Sequence, residues 1–81
     1  MSYSEDMLNK IWAKGKSHSG SGMDATCLDA FRNKIRLGSY GKLTDMGWEV
    51  DHIEPVANGG SDDLTNLRPL HWQANRIKAD R

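Results

Sequence analysis

A chain of 81 residues and 9.1 kDa has room for one small domain, which buries only roughly 60% of the surface its unfolded form exposes. With 37% hydrophobic and 27% charged residues and a mean hydropathy of −0.71, no stretch resembles a membrane span or a signal-peptide core. Net charge is zero, 11 basic against 11 acidic residues, and the single cysteine, Cys27, excludes an internal disulfide framework and any zinc site needing two thiolates.

Residues 4–14, SEDMLNKIWAK, predict an amphipathic helix. Ser4 is a suitable N-cap, Glu5 and Asp6 suit the helix start, and Lys10 and Lys14 suit its end. Met7, Leu8, Ile11 and Trp12 make one apolar stripe, as in a packing helix without chemistry of its own. Residues 15–22, GKSHSGSG, read as a Gly/Ser linker with no packing capacity, in which His18 is a solvated loop residue. The division expected is therefore a helix plus linker over 1–22 and a second unit over 23–81, with its core at about 48–81.

Residues 24–30 read either as a helical turn or as the approach to a strand. Glycine-bounded runs rich in β-branched and aromatic residues predict strands over 33–37 and 48–53. A loop follows over 56–63, where Asn58-Gly59-Gly60 can supply the positive φ of a tight turn. Residues 67–70 are short and extended because Pro69 keeps Arg68 out of the helical region. HWQANRIKAD, residues 71–80, predicts a closing helix with Trp72 and Ile77 toward the core. The fold class is α+β.

Charge is unevenly placed. Asp51, Glu54, Asp62 and Asp63 crowd residues 51–63 with no lysine or arginine, whereas Arg68, Arg76, Lys78 and Arg81 face only Asp80 in residues 64–81. Arg32, Lys34, Arg36 and Lys42 form a second basic stretch. This asymmetry fits either clustered solvated faces or a nucleic-acid contact. Asp51 and His52 join a hard metal ligand to the side chain that titrates near neutrality, and both reach one centre only if the strand bends after them. His71 and Asn75, four apart on the predicted helix, share a face with Lys78. Asn66 can brace a loop or simply cap a turn. Each of these groups, taken alone, also reads as ordinary hydrated surface.

Together they form the string D51-H52-I53-x-P55-x3-G59-G60-x-D62-x3-N66-L67-x-P69-L70-H71-x3-N75-x2-K78. Over residues 48–81 this resembles the HNH endonuclease family, the ββα-metal fold, in a form lacking the CxxC zinc knuckles. The stretch from Ile35 through Tyr40-Gly41 to Glu49 resembles the lead-in of bacterial and phage members. The resemblance implies a small ββα-metal finger with an added N-terminal helix. It makes His52 the general base, Asn66 the brace of the catalytic loop, and Asp51 and Asn75 metal ligands. Where many members carry a knuckle, this chain has His71-Trp72-Gln73-Ala74, so no structural zinc is expected, and the N-terminal helix with Trp12, Trp48 and Trp72 must supply the packing. Related colicin nuclease domains place a histidine ligand four residues before the last helical ligand, which carries that role to His71.

The resemblance thus implies hydrolysis of DNA phosphodiester bonds. One divalent cation (Mg²⁺, Mn²⁺ or Ni²⁺, with Zn²⁺ binding also allowed) would stabilise charge at phosphorus and the leaving oxygen. Arg32, Lys34, Arg36, Arg68, Arg76 and Lys78 would meet the DNA backbone, giving affinity without sequence choice. The expected partner is DNA, with no membrane, and the expected setting is reducing and cytoplasmic. Two alternatives stay open: a DNA-binding module that keeps the scaffold without turnover, and a toxin or effector nuclease with the same chemistry. Oligomeric state is not legible.

Overall fold

The Ser4 hydroxyl accepts a hydrogen bond from the Met7 amide at 3.1 Å and starts helix α1 (Glu5–Trp12). The structure, a computed structural model, describes residues 3–79; Asp80 and Arg81, part of the expected helix end and basic tail, lie outside the described residues. The apolar stripe of α1 faces inward as its spacing predicts: Ile11 and Trp12 are buried, with Met7 and Leu8 packed beside them. Lys14 does not belong to the helix. It reaches across the molecule to the Leu64 and Leu67 carbonyls, and burial lowers its pKa.

The Gly/Ser stretch is not a linker. Lys16–Ser19 forms strand β1, antiparallel to β2 (Thr26–Leu28), which pairs on its other side with β3 (Lys34–Arg36). All four β1 residues are exposed, so backbone pairing rather than burial holds the strand, with a register shift and Ser17 in the left-handed region at φ 55°. Gly15 permits this approach, since a Cβ there would collide with the Cys27 sulfur. His18, expected to be solvated, stays exposed but ties its Nε2 to the Trp12 carbonyl at 3.1 Å, edge-on to the Trp12 ring. The open reading of residues 24–30 resolves as a 3₁₀ turn (Gly22–Asp24) followed by a strand.

A second, two-stranded sheet joins β4 (Trp48–His52) antiparallel to β5 (Leu67–His71), with Trp48 opposite His71 and Asp51 opposite Arg68. Helix α2 (Trp72–Ala79) follows directly and packs against both strands. The chain is thus an α+β domain ending in a ββα unit. No helix among the described residues is long and apolar enough to cross a membrane.

Ile11, Trp12, Cys27, Ile35, Trp48 and Leu67 form the core, so both sheets and α1 share it. The Trp12 and Trp48 rings meet at 5.3 Å, and full burial of such rings is among the largest contributions one side chain makes. Trp72 and Ile77 do not join this core. The Trp72 indole donates to the Thr44 carbonyl at 2.7 Å from a half-buried position, and Ile77 is exposed beside Phe31. Burial pushes the Cys27 thiol up to about 11, with the Asp29 carboxylate adding to the effect; Cys27 is a packing residue.

Asp29 links the two sheets. Its buried carboxylate accepts from the Phe31 and Asn33 amides at 2.9 and 2.8 Å and from the Asn33 side chain at 3.2 Å. It also accepts from the His71 amide at 2.9 Å, tying the β2–β3 turn to the end of β5. A buried carboxylate is tolerable only when its oxygens are filled in this way.

Candidate functional site

The end of β4 carries the Asp51-His52 pair, and the chain bends immediately after it, at Ile53 and Glu54. That bend lets two neighbouring strand residues border one space. Asp51, His52, Asn75 and Lys78 all line a cleft of about 490 Å³, together with Pro55, Val56, Ala57 and Asn58. Gly59 takes a left-handed φ of 89°, and Gly60 runs so close to the Glu54 carbonyl that a Cβ would clash.

Asn66 closes this loop. Its Oδ1 accepts from the Glu54 amide at 2.8 Å, while its Nδ2 donates to the Glu54 and Ser61 carbonyls at 3.1 and 2.8 Å. The Asn66 carbonyl also accepts from the Ile53 amide at 2.8 Å. One side chain therefore holds both ends of the loop that follows His52.

Asp51 is 4% exposed and sits between two cations. Arg68 Nε donates to Oδ2 at 2.7 Å, and Lys78 Nζ lies 2.8 Å from Oδ1 and 3.1 Å from Oδ2. The same ammonium donates to the His52 carbonyl at 2.6 Å. With the Ile53 carbonyl at 3.4 Å, four hard oxygens surround one positive charge. Two half-buried cations thus flank a single buried carboxylate.

His52 is half-buried, and its Nε2 lies 2.6 Å from Asp62 Oδ1. Asn75, on α2, donates from Nδ2 to Glu49 Oε1 at 2.9 Å, and Arg76 donates to Glu49 Oε2 at 3.1 Å. Neither Asp62 nor Glu49 was among the expected site residues. The alternation of a strand does put Glu49 on the face of Asp51, and that period-two relation was the available signal. Asp62 stands in the motif string without a role there, and only the loop fold brings it to His52.

His71 stands apart from this group. It closes β5 rather than opening α2, so the helical four-residue spacing to Asn75 does not exist. Its Nε2 bonds the Asp45 carbonyl at 2.7 Å, its Nδ1 accepts from the Gln73 amide at 3.1 Å, and it is absent from the cleft wall. Both ring nitrogens are thus committed to the backbone, and a shared ion with Asp51 and Asn75 has no support in this geometry.

The expected DNA-facing cations divide. Lys78 lines the cleft, while Arg68 pairs with Asp51 and Arg76 with Glu49. Arg32, Lys34 and Arg36 belong to the β2–β3 hairpin, away from the cleft lining; Arg36 pairs with Asp24 at 2.6 Å, while Arg32 and Lys34 are exposed.

Among the described residues no three His, Cys, Asp or Glu side chains gather as a metal cluster. The donor chemistry nevertheless fits one hard divalent cation: the Asp51 carboxylate already holds a cation among oxygens, and the Asn75 amide lines the same cleft. Such a site would be completed by water and phosphate, with Lys78 giving up its place. No curated protein and no solved structure matches the chain. The family model for HNH endonuclease matches residues 25–81. With β2 through α2 inside that match, the Asp51-His52 pair and the helical Asn75 lining one cleft, and Asn66 holding the loop beside it, the chain belongs to the HNH endonuclease family.

Proposed function

We propose that this protein is a metal-dependent endonuclease that hydrolyses DNA phosphodiester bonds, acting in a reducing, cytoplasmic compartment. The observation that carries the reading is the convergence of Asp51, His52, Asn75 and Lys78 on one cleft under a loop held by Asn66. Asp51 and Asn75 would hold the divalent cation, Mg²⁺, Mn²⁺ or Ni²⁺. When bound, that ion supplies Lewis-acid stabilisation of charge on the phosphate and the leaving 3′-oxygen.

His52 is the general base. A carboxylate only accepts, so across the 2.6 Å contact His52 would donate from Nε2 to Asp62, and a ring carrying that single proton would have Nδ1 as its acceptor. A positioned imidazole nitrogen can take the proton of a water as it attacks phosphorus. Asn66 keeps the loop, and with it Asp62, in register with His52. Lys78, Arg68 and Arg76 attract the DNA backbone, and the exposed Arg32 and Lys34 extend the positive surface along the hairpin.

A second reading has its own observation. Asp51 is already neutralised from within by Arg68 and Lys78, which is the arrangement expected of a DNA-binding module that has dispensed with metal. Nicking of supercoiled plasmid separates the two. The endonuclease converts plasmid with Mg²⁺, Mn²⁺ or Ni²⁺ and stops on adding EDTA; the binding module retards plasmid on a gel and leaves it intact with every ion.

A further inference from the structure

Both oxygens of the Glu49 carboxylate are engaged by consecutive residues of α2: Asn75 Nδ2 on Oε1 at 2.9 Å and Arg76 Nη2 on Oε2 at 3.1 Å. Glu49 and Asp51 sit two apart on β4 and so project to the same face, toward the helix. Arg76 is steadied in turn, its guanidinium lying 5.9 Å from the centre of the Trp72 ring. Glu49 is therefore held by one helical residue while it holds the other.

An asparagine amide has a donating end and an accepting end of nearly the same shape. Here the partner's chemistry does. A carboxylate cannot donate, so the end of Asn75 that meets Glu49 must be the NH₂ group, and the amide oxygen is the polar end left over on a side chain that lines the cleft.

We propose that Glu49 is a positioning residue that locks the Asn75 amide with its oxygen presented to the cleft, fixing it as an oxygen ligand for the divalent cation shared with Asp51. This rests on the reading of Asn75 as a ligand. Partners that orient a ligand from behind commonly govern metal affinity by about 10–100-fold. Glu49→Gln is nearly isosteric but offers an amide that can either donate or accept, so Asn75 is no longer forced to turn its oxygen outward.

The test is calorimetric titration of Mn²⁺ into the full chain as wild type, Glu49→Gln, Asn75→Ala and the double variant, with thermal melts of each followed by circular dichroism. The expected result is Mn²⁺ affinity about 10-fold or more weaker in Glu49→Gln at an essentially unchanged melting temperature, a comparable or larger loss in Asn75→Ala, and no further loss in the double variant. Wild-type affinity in Glu49→Gln beside weakened Asn75→Ala overturns the positioning role and leaves Asn75 a ligand. Additive losses in the double variant also overturn it, since Glu49 would then act by another route. Wild-type affinity in Asn75→Ala, or no Mn²⁺ binding by the wild type, removes the ligand reading and this proposal with it.

Discussion

The half of the molecule built from α1 and the β1–β2–β3 sheet and the half built from β4, β5 and α2 use opposite kinds of interaction. The first contributes Ile11, Trp12, Cys27 and Ile35 to the core, and its buried carboxylate, Asp29, is spent on three backbone amides and the Asn33 side chain. The second sends Trp48 and Leu67 inward and lines its other face with Glu49, Asp51, His52, Arg68, Asn75, Arg76 and Lys78, nearly all paired to one another. A ββα unit alone has too little apolar surface to fold around so much charge. The N-terminal half supplies that surface, and the charged face is left available for chemistry. Substitutions should therefore separate cleanly into those that unfold and those that inactivate.

The largest expected effect falls on the charged half. His52→Ala should lower plasmid cleavage by about 10²–10⁴-fold while leaving the melting temperature and DNA retardation near wild type, because the ring's hydrogen bond is to Asp62, which is half exposed. Cleavage at near-normal rate would remove His52 from the mechanism. The converse substitution is Trp12→Ala. Deleting a buried ring that touches Trp48 should cost about 3–5 kcal/mol, a large share of a small domain's stability, read as a drop in the denaturant midpoint. A loss below about 1 kcal/mol would mean that the N-terminal half does not carry the core.

A smaller effect tests the core through pH. The folded thiol of Cys27 stays protonated to about 11 from an ordinary value of 9.0. Above pH 9.0 the unfolded chain gains by ionising while the folded chain does not, so the stability contributed by the buried neutral thiol is intact below that pH and is lost as pH rises toward 11. Comparing denaturation of wild type and Cys27→Ala across this window isolates the thiol from the tyrosines, and the wild type should show the steeper decline. The smallest effect concerns His71. Its ring bonds the Asp45 carbonyl and the Gln73 amide, so His71→Ala should cost about 1–2 kcal/mol of stability and leave Mn²⁺ and Ni²⁺ affinity unchanged by calorimetry. A tenfold loss of Ni²⁺ affinity would place His71 at the ion after all and blur the division between the halves.

Local chemistry made much of the chain legible. The Ser4 cap and the Met7-Leu8-Ile11-Trp12 stripe specify α1 with no help from elsewhere, and the glycine-bounded runs marked β3 and β4. The order of Asp51-His52, Gly59-Gly60, Asn66 and Asn75 carried the family and pointed to the residues that border the cleft or hold its loop. What escaped was whatever depended on a partner distant in sequence. β1 has no hydrophobic alternation, since all four of its residues are exposed; it exists because β2 offers an edge. Ile77 fits an apolar helix face, yet it stays exposed, lining a shallow pocket with Phe31.

The same distinction decides the site. Residue type and order are enough to name a carboxylate, an imidazole and two amides, because ligand hardness, proton affinity and hydrogen-bonding capacity are properties of single side chains. They are not enough to say which way those groups face. His71 was assigned to a helix on spacing, but pairing with Trp48 extends β5 by one residue and turns its ring to the backbone. Glu49 was an anonymous strand residue until α2 crossed its face and brought Asn75 and Arg76 to its two oxygens. Lys78 and Arg68 were read as DNA contacts, and folding places both on Asp51. Sequence by itself determined which chemistry the cleft can offer. Only the tertiary structure decided which groups share it, because the direction of a side chain is set by the strand register and helix packing of segments that lie far apart along the chain.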